Sequence, residues 1–178
     1  MREIWNLGWR LLVIALVAGL ALGIVNSVTV EPIAEQAKLA AEAARREVLP
    51  AAQEFTEDAA HGIFLGKDAN GQTIGLVATG ICKGFGGEIE VTVGINADGV
   101  ITGVNVGGSN FQETAGLGAK TKDAAWRDQF TGLSGSVALA KDGGTLDAIA
   151  SATISSRAVT NEVNRLLELL TEYWKEVA

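Results

Sequence analysis

Residues that hold metals and disulfides are nearly absent from this chain of 178 residues. It has one cysteine, Cys82, and one histidine, His61, together with two prolines and one methionine. A single thiol can form no internal disulfide and cannot ligate an iron–sulfur cluster, and the sequence has no histidine-bearing metal motif. We therefore expect no metal site, a buried apolar role for Cys82, and a surface or capping role for His61.

Positive charge is also scarce. Lys and Arg number 14 against 21 Asp and Glu, which leaves a net charge of −7. Because a nucleic-acid site needs a basic surface, this balance disfavours nucleic acid as a partner. The run Gly-Phe-Gly-Gly at 84–87 lacks the spacing of a dinucleotide-binding loop, and the sequence has neither a phosphate loop ending in Gly-Lys-Ser/Thr nor a serine nucleophile motif. We predict no catalytic residue.

One long stretch lacks charge altogether. Residues 11–30 would span about 30 Å as a helix, enough to cross the hydrocarbon core of a membrane. Trp5 and Trp9 precede the stretch, where aromatic residues anchor a helix at the interface. We predict a transmembrane helix over 11–30. A cleaved signal peptide is the alternative, but the apolar stretch is long for one and no small-x-small cleavage site follows it.

The flanking charges predict the orientation of this helix. Arg2 and Arg10 lie on its N-terminal side, and Glu31 is the first charged residue after it. By the positive-inside rule, residues 1–10 are cytoplasmic and the remainder of the chain is extracytoplasmic. The predicted location is the inner cell membrane, with a single membrane-embedded helix.

After the span, the sequence predicts helix, sheet, loop and helix. Residues 31–60 are rich in alanine and predict a helical stalk, with Pro32 tolerated in a first turn and Pro50 marking a break. Residues 61–178 form the predicted domain, whose turn signals separate alternating strands. The predicted hairpins pair 63–66 with 73–82, 89–95 with 100–106, and 137–139 with 145–149. Antiparallel strands between terminal helices indicate an α+β fold.

Hydroxyl groups cluster before the last helical segment. Ser151, Thr153, Ser155 and Ser156 fall within six residues, ahead of an amphipathic pattern that begins at Val159. The N-terminus of a helix favours an anion such as phosphate. Ordinary N-capping is the alternative, although one cap needs one hydroxyl.

Two motifs resemble those of the FMN-binding domain family. Residues 147–153, Asp-Ala-Ile-Ala-Ser-Ala-Thr, resemble its flavinylation motif, in which the threonine hydroxyl is esterified to the phosphate of FMN by a separate flavin transferase. The resemblance implies that Thr153 is the acceptor and Asp147 the acidic residue of the motif. It also implies that Ser151 and Ala152 are its small residues and that Ser155 and Ser156, its further hydroxyls, contribute to cofactor binding. Residues 113–118 resemble its Glu-Thr-Pro-Gly-Leu-Gly loop, with Ala115 in place of proline. This likeness implies flavin contacts from Glu113, Thr114, Gly116 and Leu117, whereas a plain glycine turn is the alternative for the loop alone.

A flavin ring needs flat apolar walls, and four aromatic residues are candidates. They are Phe85, Phe111, Trp126 and Phe130. Core packing is the alternative for each of them. The sequence indicates no other redox group. If this chain is redox-active, a flavin is therefore the redox group that we expect it to carry.

The whole chain resembles the G subunits of Rnf-type ion-translocating electron-transport complexes. The likeness implies a membrane-anchored carrier of covalent FMN, with other membrane subunits and a flavin transferase as partners. Such complexes couple electron flow between ferredoxin and NAD⁺ to transport of Na⁺ or H⁺. The alternatives are the C subunit of a Na⁺-translocating NADH:quinone reductase, a free-standing flavinylated extracellular reductase, and an anchored module without redox function.

Overall fold

A computed structural model describes residues 2–177 and contains one five-stranded sheet flanked by helices. The α+β class predicted from the sequence is confirmed. The chain divides into two compact units, one ending at Leu39 and one beginning at Ala40. The elements are α1 (Arg2–Val48), β1 (Glu54–Asp58), β2 (Ile63–Lys67), β3 (Thr73–Lys83), β4 (Glu88–Asn96), β5 (Ile101–Gly107), α2 (Ala124–Arg127) and α3 (Thr153–Val177).

The first unit is the apolar part of α1. Large hydrophobic side chains from Ile4 to Leu39 are exposed, and the most apolar stretch of the helix buries nothing inside the structure. In the part of the chain that the structure describes, α1 is the one helix long and apolar enough to cross a membrane. An N-terminal helix of this kind fits a membrane anchor.

The helix predicted over 31–60 ends earlier than the sequence indicated. α1 stops at Val48, and Leu49 precedes Pro50, a position at which the helical conformation is disfavoured. Glu54–Asp58 form strand β1 instead of a further turn of helix. The acidic sequence of β1 has low strand propensity, and pairing with β2 along the sheet edge outweighs this preference.

The strands follow one another across the sheet in chain order, and each pairs with its neighbour antiparallel. The first two predicted hairpins are confirmed, and their turns are formed by the residues that the sequence indicated. Asp68 accepts hydrogen bonds from the amides of Asn70 and Gln72, and Asn96 accepts them from Asp98 and Val100. Such Asx turns fix the loop geometry.

One face of the sheet packs against α3 and carries the larger core. Ile89, Val91, Val93 and Ile95 alternate along β4 and are completely buried on this face. The helical spacing of α3 predicts six apolar residues on one face. Five of them are buried in this core, and Trp174 packs against it only partly buried; the five are Val159, Val163, Leu166, Leu167 and Leu170. This packing fixes the start of α3 relative to the sheet.

The opposite face carries the end of α1 on a row of glycines, one from each of strands β2 to β5: Gly66, Gly75, Gly94 and Gly103. A Cβ atom at Gly94 would lie 2.5 Å from the Val48 carbonyl oxygen, and one at Gly103 would lie 2.9 Å from Val48 Cα. Gly94 and Gly103 therefore allow the backbone of α1 to approach the sheet, whereas Gly66 and Gly75 leave room for the side chain of Leu49, which follows α1. Thr102 Oγ1 donates a hydrogen bond of 2.5 Å to the same Val48 oxygen.

The third predicted hairpin, 137–139 with 145–149, is wrong. These residues form no strands, and Leu139 and Leu146 make an isolated parallel bridge around a 3₁₀ turn at Ala140–Asp142. Beyond this bridge, several backbone groups that a hairpin would pair are bonded to side chains instead. The Asn164 amide group donates to the Val137 oxygen and accepts from its N–H, at 2.7 and 2.8 Å. Side chains can thus replace strand partners.

Candidate functional site

A cleft of about 380 Å³ opens between three segments of the chain, one of which contains the start of α3. The segments are the glycine turn after β3, the loop at 113–118, and residues 151–155. Its volume lies within the range of about 300–1,000 Å³ typical of small-molecule and cofactor sites. The lining residues are Phe85, Glu113, Thr114, Leu117, Gly118, Ser151, Ala152, Thr153, Ile154 and Ser155.

The Glu113 carboxylate joins two of these segments. Its Oε1 accepts a hydrogen bond of 3.1 Å from the Gly86 amide. Gly84 and Gly118 lie on either side of it, and a Cβ atom at either glycine would overlap a carboxylate oxygen. The glycines of both loops therefore leave room for one carboxylate, which in turn holds the loops together. Glu113 thus has a structural role in shaping the cleft.

The four hydroxyls of the cluster have different partners. Ser155 is buried, and its Oγ accepts a long hydrogen bond of 3.4 Å from the Phe85 amide. Ser156 is completely buried; its Oγ accepts from the Ile149 amide and donates to the Ala152 oxygen, at 3.1 and 3.0 Å. Ser156 is therefore engaged inside the protein and is not among the residues that line the cleft. Thr153 is half-buried and lines the cleft, and Ser151 lines it as well.

Ser151 has a left-handed backbone, with φ of +62°. Within residues 2–177 it is the one non-glycine residue of positive φ. Larger and β-branched residues are strained at positive φ, so the turn favours glycine or a small residue such as serine at this position. The turn delivers Ala152 and then Thr153, at which α3 begins. The amides of that first helical turn have no partners within the helix.

A cationic group lies next to Thr153, and the sequence did not indicate it. The Nζ of Lys141 lies 3.4 Å from Thr153 Oγ1. The carboxylate of the next residue, Asp142, accepts two hydrogen bonds of 2.8 and 2.9 Å from the Arg157 guanidinium. These bonds lower the pKa of the Asp142 carboxyl. Lys141 lies twelve residues before Thr153, inside the predicted third hairpin. Its position depends on the 3₁₀ turn that took the place of that hairpin.

Apolar side chains form the wall of the cleft. Phe85, Leu117 and Ile154 line it and are 73%, 39% and 57% exposed. Exposed large apolar residues grouped at one cleft indicate a binding surface. Of the four aromatic candidates, Phe85 alone lines this cleft. Trp126 and Phe130 are buried in the core against each other, and Phe111 packs under the Lys122 ammonium group at 3.8 Å.

Two further predicted site residues lie outside the cleft lining. Gly116, with φ of +76°, forms the turn between the lining residues Thr114 and Leu117. Asp147 is exposed, and its backbone is fixed from both sides. Its oxygen accepts from the Trp126 indole at 2.7 Å, and its amide donates to Gln129 at 2.8 Å. The motif is thereby tied to the segment that follows the 113–118 loop.

Cys82 and His61 lie apart from the cleft-lining residues. Cys82 is partly buried against the core, and burial raises the pKa of its thiol to about 11. His61 Nδ1 lies 2.8 Å from Asp58, which also accepts a hydrogen bond of 2.7 Å from the Tyr173 hydroxyl. The Tyr173 bond and then the His61 bond lower the pKa of Asp58 to about 2. Among residues 2–177, no group of three His, Cys, Asp or Glu side chains could hold a metal ion.

The cleft has the features that an FMN site requires. It combines an apolar wall for a flat ring, a half-buried threonine hydroxyl at the start of a helix, and an ammonium group beside that hydroxyl. Phosphate oxygens favour helix N-termini and lysine. The residues present therefore fit FMN.

Comparison with known proteins agrees with this geometry. The family described as FMN-binding domain matches residues 84–168, which include all three cleft segments. The G subunit of the Na(+)-translocating ferredoxin:NAD(+) oxidoreductase complex of Acetobacterium woodii is 38% identical, over 94% of this chain and 92% of that protein. The G subunit of an ion-translocating oxidoreductase complex of Methanosarcina acetivorans is 33% identical, over 72% and 73%.

A solved structure shares the fold. The crystal structure of NqrC from Shewanella oneidensis superposes with a TM-score of 0.51, over 72% of this chain and 73% of that one. At 19% sequence identity, this likeness concerns the fold alone.

Proposed function

Since this chain belongs to the family of G subunits of ion-translocating oxidoreductase complexes, we propose that it is the FMN-carrying electron-transfer subunit of such a complex. The complex proposed is of the Rnf type, oxidising ferredoxin with NAD⁺ and moving Na⁺ or H⁺. The cleft beside Thr153 is the observation that supports this function most directly. Its partners are the other membrane subunits of the complex.

The proposed attachment is a phosphodiester between Thr153 and FMN, made by a flavin transferase. The Thr153 hydroxyl would lose its proton to a base of the transferase, and its oxygen would form a bond to the phosphorus on the riboflavin side of a flavin dinucleotide. The phosphoanhydride bond of that dinucleotide breaks, and a nucleoside monophosphate leaves. The small residues Ser151 and Ala152 give a bulky nucleotide access to the hydroxyl, and Thr153 is half-buried rather than enclosed.

The side chains of the cleft bind and orient the group. Phe85, Leu117 and Ile154 offer apolar contact to the ring, and Glu113 keeps the two loops at a fixed separation. FMN supplies one- and two-electron redox chemistry when bound, so the protein needs no acid–base pair of its own. A covalent tether would also prevent loss of the group to a dilute exterior.

The proposed topology has the N-terminus in the cytoplasm of the cell and the FMN-binding domain outside, with residues 11–30 in the inner membrane. It rests on Arg2 and Arg10 before the span and Glu31 after it. The span contains no ionisable residue. We therefore assign ion passage to other subunits, because intramembrane charges mark ion pathways.

Mass spectrometry of protein isolated from membranes, after co-expression with a flavin transferase, tests the attachment. We expect an FMN adduct on the peptide that contains Thr153, its loss in Thr153→Ala, and its retention in Thr153→Ser. Thr114→Ala is the matched control, because Thr114 lines the same cleft and should keep the adduct. An adduct on Ser156 or Thr160, or bare protein in the presence of an active transferase, would contradict the proposal.

A further inference from the structure

Lys141 is the cation nearest to the proposed attachment atom. Its Nζ lies 3.4 Å from Thr153 Oγ1, on an exposed 3₁₀ turn at the edge of the cleft. It makes no ion pair with a carboxylate of residues 2–177. A phosphoryl group bonded to Oγ1 would carry its non-bridging oxygens two bonds beyond that atom, on the far side of the phosphorus. These oxygens are then within reach of a flexible ammonium group.

The charges around Lys141 leave it available for an anion. Its neighbour Asp142 accepts two hydrogen bonds from Arg157, so these two charges neutralise each other in a bidentate pair. Arg157 is one helical turn after Thr153, and the pair therefore ties the Lys141 turn to the first turn of α3. Lys141 remains as the uncompensated positive charge of this cluster.

A local cation matters because the protein as a whole repels anions. The chain has a net charge of −7, and a phosphodiester brings a further negative charge to its surface. Screening limits long-range attraction to about 8 Å at physiological ionic strength. A cation that stabilises the diester must therefore lie next to Thr153, and the lysine at 3.4 Å meets this condition.

We propose that Lys141, held by the Asp142–Arg157 pair, binds the phosphoryl oxygens of the diester at Thr153 and orients the tether toward the cleft. This inference rests on the proposed function, since it needs the FMN to be attached at that residue. A different role would be contact with the transferase alone, in which case Lys141 would be irrelevant after attachment.

The test compares fully modified wild-type protein with Lys141→Ala, Lys141→Arg and Lys175→Ala. Lys175 is exposed near the far end of α3, so its removal makes the same change in net charge about 30 Å from Thr153 along the helix. The primary measurement is the ³¹P NMR resonance of the diester at low and high NaCl. The second is the initial rate of attachment with purified transferase and flavin dinucleotide.

We expect the wild-type, Lys141→Arg and Lys175→Ala resonances to coincide and to move with salt. The Lys141→Ala resonance should differ at low salt and respond little to NaCl. Attachment to Lys141→Ala should be about three- to tenfold slower, as for loss of one exposed charge-assisted hydrogen bond. If this variant alone remained unmodified while the others were modified, the result would count against the inference, because a defect confined to attachment assigns Lys141 to the transferase contact.

The inference would be overturned if modified Lys141→Ala gave the wild-type resonance with the wild-type salt response. A slower rate with an unchanged resonance would overturn it too, because it would assign Lys141 to the transferase contact. Wild-type protein that stays bare beside an active transferase would instead contradict the proposed function. The two failures are therefore distinguishable.

Discussion

The glycine row beneath the end of α1 makes a sharp prediction about stability. In Gly103→Ala, the new Cβ would lie 2.9 Å from Val48 Cα, 3.2 Å from the Val48 oxygen and 3.5 Å from the Glu47 oxygen. These are backbone atoms, which cannot move aside as a flexible side chain can. Carbon atoms prefer a separation of roughly 3.5–4.0 Å, so the end of α1 must shift away from the sheet.

The expected magnitude follows from these contacts. Overpacking of a well-packed site costs roughly 1–3 kcal/mol. The shift also strains hydrogen bonds that anchor the same segment, among them Thr102 to Val48 at 2.5 Å and Arg127 to Glu47 at 2.7 Å. We expect Gly103→Ala to lower the free energy of unfolding by about 2–3 kcal/mol, since each such bond contributes roughly 1 kcal/mol.

Gly107→Ala is the matched control. Gly107 is in the same strand, and a Cβ there would come no closer than 3.9 Å to any neighbour. The reduced entropy of the unfolded chain should stabilise this variant by roughly 0.4–1 kcal/mol. In urea titrations of full-length protein read by pulse proteolysis, the two midpoints should differ by about 1 M or more. Equal midpoints, or a less stable Gly107→Ala, would refute the reasoning.

Two further predictions concern Ser151 and Asp58. Ser151→Gly should be as stable as wild type or up to about 1 kcal/mol more stable, because glycine removes a left-handed strain of roughly 1–2 kcal/mol but adds entropy to the unfolded chain. Ser151→Val should be clearly less stable than wild type. Equal urea midpoints for the two variants would contradict this prediction. The Tyr173 hydroxyl, followed by His61 and the Ala60 amide, lowers the pKa of Asp58 from its ordinary 3.8 to about 2. Asp58 therefore contributes stability above pH 4 that is lost as the pH falls toward 2. The stability gap between wild type and Tyr173→Phe, measured by urea titration, should be constant from pH 7 to 5 and shrink between pH 4 and 2; a constant gap down to pH 2 would count against the Asp58–Tyr173 bond.

The elements that the sequence predicted well are those in which the spacing of apolar residues follows directly from which face of the element is buried. β4 alternates apolar and polar residues because one face meets α3, and α3 repeats apolar residues at helical spacing for the same reason. The turns with Asn96 and Asp68 form through their own side chains. The sequence did not predict strand β1, because its acidic residues have low strand propensity and the strand forms only by pairing with β2.

The residues of the cleft also divide into roles that the sequence predicted and roles that only the structure shows. Glu113, Thr114, Leu117, Ser151, Ala152, Thr153 and Ser155 were named from the motifs and do line one cleft. The role of Glu113 between two glycines could not be derived from the loop sequence, because Gly84 belongs to another segment. Ser156 could not be separated from Ser155 by sequence either. Both are buried, and which of the two hydroxyls lines the cleft depends on the helical phase at the first turn of α3.

By itself, the sequence determined the local patterns of this protein: an uncharged apolar helix, an antiparallel sheet, an amphipathic last helix and the two flavin motifs. These follow from spacing and residue type within short stretches. The tertiary structure alone decided which distant residues meet. It brought Lys141 to Thr153 through a 3₁₀ turn that takes the place of a hairpin, and it set the end of α1 and the following Leu49 on glycines from four strands. Contacts of this kind depend on packing between segments, which no local pattern encodes.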